Sequence, residues 1–474
     1  MSKICLICEG SYPYVVGGVS SWVQELITSN PEHEFKLICL VPNEEFIDIK
    51  YKLPKNLKEI KNVILESENK KSTKNFIKNK NLKSKEFQNK IEKLMDFKNA
   101  NFVEIMDIID SLNEKEYGTA FEIVTSKGFW EALVEYYKKH FSHTGLNIFY
   151  WTQQNIFTTL LKLAQLDIPE AEIYHPISTG YAGFLAALAS YRKKGKVILT
   201  EHGIYPRERE EEILGANWVD KDLKKIWIDF FYFMSTLCYE SSDKIVSLFS
   251  HNRNLQIENG ADPNRCIVVA NGIDNEIYSK IQREKQEKFS IGSVLRIVPI
   301  KDVKTMLKAY KIVAESRKNT HLYLIGPTNE NEDYFKECVE IVEQLELEEN
   351  VTFTGRADVK EYYKFLDLQL LSSISEGQPL SILEGLAAGI PCISTDVGNC
   401  RELILGKKDI GEAGMIVPPT SYVELANSII KLYDDDEKRV LFGMNGKKIV
   451  EKYYTKDQFI KNYKSLYDNL VGRG

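Results

Sequence analysis

Residues 367–396 read as strand, sharp loop, helix, stop and strand, and that order leaves few folds open. Leu368 to Leu371 is an apolar run of strand length. Residues 372–378 form a small polar loop. Pro379 stands where a first helical residue is best, because its missing N–H has no intrahelical partner there. Gly389 and Pro391 stop the helix, and an extended run resumes at Cys392. Units of this kind build parallel α/β sheets. Glu376 precedes the loop-to-helix junction. Glu384 lies inside the helix, at the margin of an apolar face made by Ile382, Leu383, Leu386 and Ala387. The junction offers backbone N–H groups and a positive helix end to an anion, with two carboxylates nearby for hydroxyl groups. A sugar joined to a phosphate fits that combination. An ordinary helix start with two solvated charges fits the same letters.

The 474 residues suit two or three domains rather than one core. With 43% hydrophobic and 27% charged residues, most of the chain is expected to fold. A net charge of −6 argues against broad nucleic-acid binding. No apolar run reaches membrane-spanning length. The start, Met1-Ser2-Lys3-Ile4-Cys5, goes straight into a strand without a signal-peptide pattern, so a cytoplasmic protein is expected. Cys5 and Cys8 have C-x-x-C spacing, but on a strand they point to opposite faces and no second pair follows. They and the other six cysteines read as core thiols.

Residues 3–8 are a near-continuous apolar strand, the mark of a parallel sheet covered on both faces. The loop after it holds Gly17 and Gly18 and leads into a helix over about 20–29. Strand, glycine loop and helix start let a backbone approach a phosphate. A plain turn is the alternative, and the G-x-G-x-x-G dinucleotide pattern is absent. Residues 43–145 differ in texture. They are dense in Lys, Asn and Glu, with Phe87, Ile91, Leu94 and Met95, then Phe102, Ile105, Met106, Ile109 and Leu112, at helical intervals. This predicts a mostly helical, charged insertion, either a docking surface or lid or a solvated embellishment. The α/β alternation then resumes. A strand over 196–200 runs into Glu201-His202-Gly203, which places His202 at the carboxyl end of a strand, where open α/β sheets bind ligands. Residues 279–288 are polar and aperiodic, the best linker candidate.

A second strand–helix series follows. Arg296 closes its first strand, Lys301 precedes a helix, and Asp302 is that helix's predicted N-cap. Two cations beside a helix N-terminus make a better anion site than either alone. The chain therefore reads as two Rossmann-like domains with parallel sheets, facing across a cleft. The first spans 1–278, with the helical insertion at about 43–145. The second spans 279–455, and a last helix at about 456–474 packs back on the first domain.

These residues carry a resemblance. Arg296, Lys301, the E-x7-E element from Glu376 through Gly377, Gln378, Pro379 and Leu380 to Glu384, and Ala387-Ala388-Gly389-Ile390-Pro391 resemble the family-4 retaining glycosyltransferases of GT-B architecture. Three further stretches resemble one branch, the PelF-type glycosyltransferases of Pel exopolysaccharide biosynthesis. They are Glu9-Gly10-Ser11-Tyr12-Pro13-Tyr14 with Gly17-Gly18-Val19-Ser20-Ser21-Trp22, Thr200-Glu201-His202-Gly203-Ile204-Tyr205 with Arg207-Glu208-Arg209, and 296–305 from Arg296 to Thr305. Pro206 departs from that branch, where a smaller polar residue is expected.

The resemblance implies an enzyme, a retaining hexosyltransferase using a nucleotide sugar, UDP-glucose in the PelF branch. It implies that Arg296 and Lys301 bind the donor diphosphate, helped by the N–H groups of Gly377, Gln378, Pro379's neighbours and Leu380. It implies that Glu384 holds the ribose hydroxyls, Glu376 the transferred sugar, Gly17 and Gly18 the phosphates, and that His202 lies near the sugar. Gly355 and Arg356 match the nucleobase position, and Tyr12, Tyr205, Arg207 and Arg209 the acceptor side. No Asp-x-Asp stands in a loop suited to a metal–diphosphate, so no metal or other cofactor is expected. The implied partners are a glycan acceptor and membrane-bound polysaccharide synthase subunits at the inner face of the membrane, with no nucleic acid. An ADP- or GDP-sugar donor, a lipid-linked acceptor, or a weakly active scaffolding subunit are the alternatives.

Overall fold

The computed structural model describes residues 2–66, 80–97, 101–406 and 409–472. Parts of the expected insertion (67–79 and 98–100) and the last two residues lie outside that set. The described residues form two compact units. One holds the chain up to Ser247, Asn252–Val268 and the segment from Tyr463; the other holds Leu248–His251 and Val269–Asn462.

The first unit contains seven strands: β1 (Lys3–Glu9), β2 (Glu34–Val41), β3 (Leu57–Ile64), β4 (Ile173–Pro176), β5 (Lys196–Glu201), β6 (Lys244–Ser247) and β7 (Cys266–Val268). All pair in parallel, in the order β3-β2-β1-β4-β5-β6-β7. The second contains six: β8 (Phe289–Val294), β9 (Thr320–Ile325), β10 (Val351–Gly355), β11 (Leu368–Leu371), β12 (Cys392–Thr395) and β13 (Gly414–Val417). These are also parallel, in the order β10-β9-β8-β11-β12-β13. Both sheets are the doubly wound α/β arrangement expected from the sequence. The strand order reverses between β1 and β4 in one and between β8 and β11 in the other. In such sheets a crevice opens at the carboxyl ends beside the reversal. Burial explains the sequence texture: Ile4 to Cys8 are at most 1% exposed, so each of these five central positions of β1 is apolar. All eight cysteines are free and buried.

The expected insertion is corrected at its start. Residues 57–64 are β3, the edge strand of the sheet. Its exposed Lys58 and Glu59 and half-buried Lys61 give it the look of a polar segment, and edge strands commonly carry such charges. After it come helices Lys85–Met95, Phe102–Ser111, Lys127–His140 and Leu146–Ala164, with two short ones between. Ser84, Asn101, Asn113, Thr119 and Ser126 accept bonds from first-turn N–H groups, which accounts for many of the segment's Asn, Ser and Thr residues. The apolar faces are buried in the same core as the helix Tyr181–Lys193. At about 1.5–3 kcal/mol for each large side chain buried, this segment is integral to the first unit rather than a solvated attachment.

The segment 279–288 is also not a free tether. Arg283 donates to the carbonyls of Tyr363 and Leu366, and Glu284 N–H to Lys364 O at 2.6 Å. The second unit starts before it: Asn271 N–H and C=O are both bonded by the Gln378 amide, at 2.9 and 3.0 Å. In the helix Lys456–Leu470, Tyr463 and Tyr467 are fully buried in the first unit, where their hydroxyls meet Thr200 Oγ1 (3.0 Å) and His175 Nδ1 (2.7 Å).

Candidate functional site

In the second unit the chain leaves β8 through Leu295 and Arg296, makes one 3₁₀ turn at Pro299–Lys301, and starts the helix Val303–Ser316. Asp302 caps that helix as expected, accepting from Thr305 N–H at 3.3 Å, but does so with φ +44°. A left-handed aspartate is strained and must be held. Ser372, just past the end of β11, holds it by donating to Lys301 O at 2.8 Å, with Asp302 O at 3.0 Å. The loops after β8 and β11 are thereby locked together at the strand-order reversal. Across that junction Lys301 Nζ lies 2.5 Å from Glu376 Oε1, which also accepts from Ser373 Oγ at 2.5 Å. Both side chains are largely buried, 16% and 10% exposed. Arg296 is not in this pair: its guanidinium is 57% exposed and donates to Glu330 at 2.9 Å.

The helix after the loop is Leu380–Ala387, with Pro379 at the N-cap rather than the first helical position. Two close approaches fix its place. A Cβ at Gly385 would fall 1.6 Å from Gln369 Oε1, and Gln369, buried in β11, bonds Ser381 O at 2.9 Å. Gly398, at φ +51°, brings the chain after β12 against the loop 372–378, where a Cβ would meet Glu376 O at 2.2 Å and Gly377 O at 2.4 Å. Asn399 N–H then donates to Gly377 O at 2.9 Å. The Gln378 side chain is spent on Asn271, so only its backbone is free to serve a ligand. Leu380 is partly exposed. The Glu384 carboxyl is pushed above the usual carboxylate range by burial, against the pull of the Tyr278 and Tyr363 hydroxyls facing it. Gly355 ends β10 at φ +66°, and Arg356 beside it is exposed.

In the first unit Gly17 and Gly18 begin the helix Gly18–Thr28, and a Cβ at either would meet nothing, so internal packing does not demand glycine there. One turn on, Trp22 meets the His202 ring edge-on at 4.8 Å. His202 follows β5. Burial pushes its pKa down to about 4, which keeps the imidazole neutral, and its Nε2 is buried without a hydrogen-bond partner. His175, at the end of β4, is held down to about 3 in the same way, with both ring nitrogens bonded.

Of the expected acceptor-side residues, Tyr12 is 0% exposed and bonds Gln24 at 2.7 Å, so it has no surface to offer an acceptor. Its carbonyl accepts from Cys39 Sγ at 3.5 Å, and its ring meets that of Tyr51 at 5.3 Å. Tyr205 is buried too. Arg209 lies over the Tyr205 ring at 5.2 Å and pairs with Glu212 at 2.6 Å, while Arg207 is exposed. Pro206 falls in the first turn of helix Tyr205–Gly215, where it is tolerated.

Two carboxylates here were not singled out from the sequence. Glu9, the last residue of β1, accepts from Ser178 Oγ (3.2 Å), Ala182 N–H (3.3 Å) and Tyr205 OH (3.0 Å), and burial raises its pKa. Glu201, the last residue of β5, is 1% exposed and accepts four bonds. The available signal was a glutamate closing a buried parallel strand just before a glycine or a His-Gly pair.

Residues 2–264 match the family described as Domain of unknown function (DUF3492), and residues 274–449 match Glycosyl transferases group 1. The N-acetyl-alpha-D-glucosaminyl L-malate synthase of Bacillus anthracis is 29% identical over 49% of this chain and 61% of its own length. The capsular polysaccharide biosynthesis glycosyltransferase CapM of Staphylococcus aureus is 26% identical over 42% of this chain and 50% of its own. The chain thus spans less than two thirds of either relative. Anabaena Alr3699/HepE, solved in complex with UDP, superposes with a TM-score of 0.62 at 14% identity, covering 99% of this chain and 100% of that one. That likeness shows the fold, two parallel-sheet domains of the GT-B kind. The chain belongs to the DUF3492 family, and its residues 274–449 match the glycosyl transferases group 1 model.

Proposed function

We propose that the protein moves a hexose from UDP-glucose to a glycan acceptor with retention at the anomeric carbon, as a PelF-type enzyme of exopolysaccharide biosynthesis. The observation that carries this reading is the Lys301–Glu376 pair, fixed beside a helix N-terminus at the point where the strand order of the second sheet reverses. As the glycosidic bond breaks, negative charge grows on the leaving diphosphate. Lys301, Arg296 and the first N–H groups of helix Leu380–Ala387 supply positive charge for it. Glu376, held by Lys301 and Ser373, serves the sugar's hydroxyl groups rather than acting as a general acid. Glu384 takes the ribose hydroxyls. In the first unit, His202 is neutral with its Nε2 unpartnered, able to bond a hydroxyl group, and the backbone at Gly17 and Gly18 is open. The leaving phosphate itself accepts the acceptor's proton, and neither a metal nor another cofactor takes part. UDP in the Alr3699/HepE complex and the capsular role in CapM's name support the donor and acceptor classes. Membrane-bound synthase subunits at the cytoplasmic face would supply the growing chain.

A thermal-shift screen with UDP-, ADP- and GDP-glucose tests the donor. A ligand that binds only the folded state at a hundred times its Kd adds about 2.7 kcal/mol. UDP-glucose should raise Tm most. A larger shift with ADP- or GDP-glucose would replace the donor, and turnover abolished by EDTA would replace the metal-free mechanism.

A further inference from the structure

The loop that carries His202 is tied down by its neighbour. Glu201 Oε1 accepts from Tyr205 N–H at 3.1 Å and Thr179 Oγ1 at 3.3 Å; Oε2 accepts from Tyr239 OH at 2.9 Å and Gln256 Nε2 at 3.0 Å. These donors come from four places: the helix start after the His202 turn, the loop after β4, the helix Lys224–Ser241, and the chain between β6 and β7. The Tyr205 bond closes a short ring around His202, Gly203 and Ile204. Tyr205 is bonded again through its hydroxyl, to Glu9. The loop therefore hangs between two buried carboxylates, and four donors without an anion between them would be poorly satisfied.

We propose that Glu201 is a positioning residue for His202, and that its ionised carboxylate keeps the His202 loop in the ordered form that turnover needs. The proposal rests on the glycosyl-transfer reading only for its effect on turnover. The titratable groups facing Glu201 are Tyr239 and Cys238, and Cys266 on β7. Burial moves all three of these upward, away from neutrality. Burial also pushes Glu201 up, to about 7, against the pull of its four donors. It is thus the group in this cluster that changes charge near neutral pH. When it takes up a proton, one of the four donors loses its acceptor and the turn around His202 loosens.

The test compares wild type with Glu201→Gln. The glutamine keeps the volume, and its amide can donate to Gln256 Oε1, which is now buried without a partner, so the variant should fold. Two measurements are made from pH 5.5 to 8.5: UDP release from UDP-glucose, and the His202 ring-proton NMR resonance, assigned by its loss in His202→Asn. In wild type kcat should fall on acidification through about pH 7, and the His202 resonance should shift along the same curve. Glu201→Gln should show neither step, with kcat lower by about tenfold to hundredfold and KM for UDP-glucose unchanged. A His202 resonance with the same step in Glu201→Gln, or a kcat equal to wild type, overturns the proposal. Should Glu201→Gln prove insoluble, Tyr239→Phe removes one bond to the anion, and the NMR step should move up by about half to one pH unit. A step that stays in place overturns the proposal equally. The resonance decides the matter whatever the donor; lack of UDP release by wild type counts against the donor reading alone.

Discussion

Lys301 and Glu376 stand on different loops of one sheet, yet their charged groups lie 2.5 Å apart and are mostly shielded from water. Neither charge is comfortable there alone. Lys301→Ala should therefore cost about 1–3 kcal/mol of stability by leaving Glu376 unpaired, and lower turnover by about a hundredfold to a thousandfold. The double variant Lys301→Met/Glu376→Gln should regain part of the stability and none of the rate. Denaturant unfolding and UDP release measured on the same preparations check both halves. A double variant less stable than Lys301→Ala would count against the pairing argument.

Arg296 gives the opposite separation. Its partner Glu330 is exposed, and exposed pairs contribute little. Arg296→Ala should change stability by no more than about 0.5 kcal/mol. Turnover should still fall by about two orders of magnitude, because the lost charge belongs to the leaving diphosphate. Wild-type turnover in this variant would remove Arg296 from the site.

Gly398 has backbone, not a flexible side chain, on the side where a Cβ would grow. Gly398→Ala must displace the carbonyls of Glu376 and Gly377 or abandon its left-handed φ. The expected cost is about 1–3 kcal/mol, with weaker UDP binding by calorimetry. Unchanged UDP affinity would show that the loop 372–378 does not depend on this contact.

The acid limb of stability has a fixed sign at His202. Its folded pKa, about 4, is below its unfolded value of about 6.5, so the unfolded chain binds more protons between those limits. Its contribution is complete above pH 6.5 and is lost as pH falls toward 4. At about 1.4 kcal/mol per pKa unit, that amounts to about 3 kcal/mol. The stability gap between wild type and His202→Gln should shrink by roughly that amount over the window, measured by urea unfolding at several pH values. A pH-independent gap would mean that His202 is not neutral in the fold.

Much of this was readable in the letters because it is punctuated locally. Pro379, Gly389 and Pro391 bracket one helix, and the all-apolar run from Ile4 to Cys8 announces a covered parallel strand. The strand β3 was hidden because an edge strand needs only Leu57, Ile60 and Val63 to pack, and its lysines imitate a surface helix. The second unit takes up the chain from Val269, and Gln378 reaches back more than a hundred residues to bind Asn271, a bond no local pattern marks. No local pattern marks Glu9 and Glu201 either. Their partners, Ser178, Thr179, Tyr239 and Gln256, are ordinary residues in ordinary places, and only the fold gathers them around an anion.

The buried tyrosines of the last helix carry a consequence for synthesis. Tyr463 and Tyr467 complete the hydrogen bonds of Thr200 and His175, yet the ribosome makes them only after the whole second domain. Until then the first domain waits with a polar notch open in its interior. It must stay soluble through that delay, and its final closure is timed by the arrival of a distant segment rather than by its own sequence.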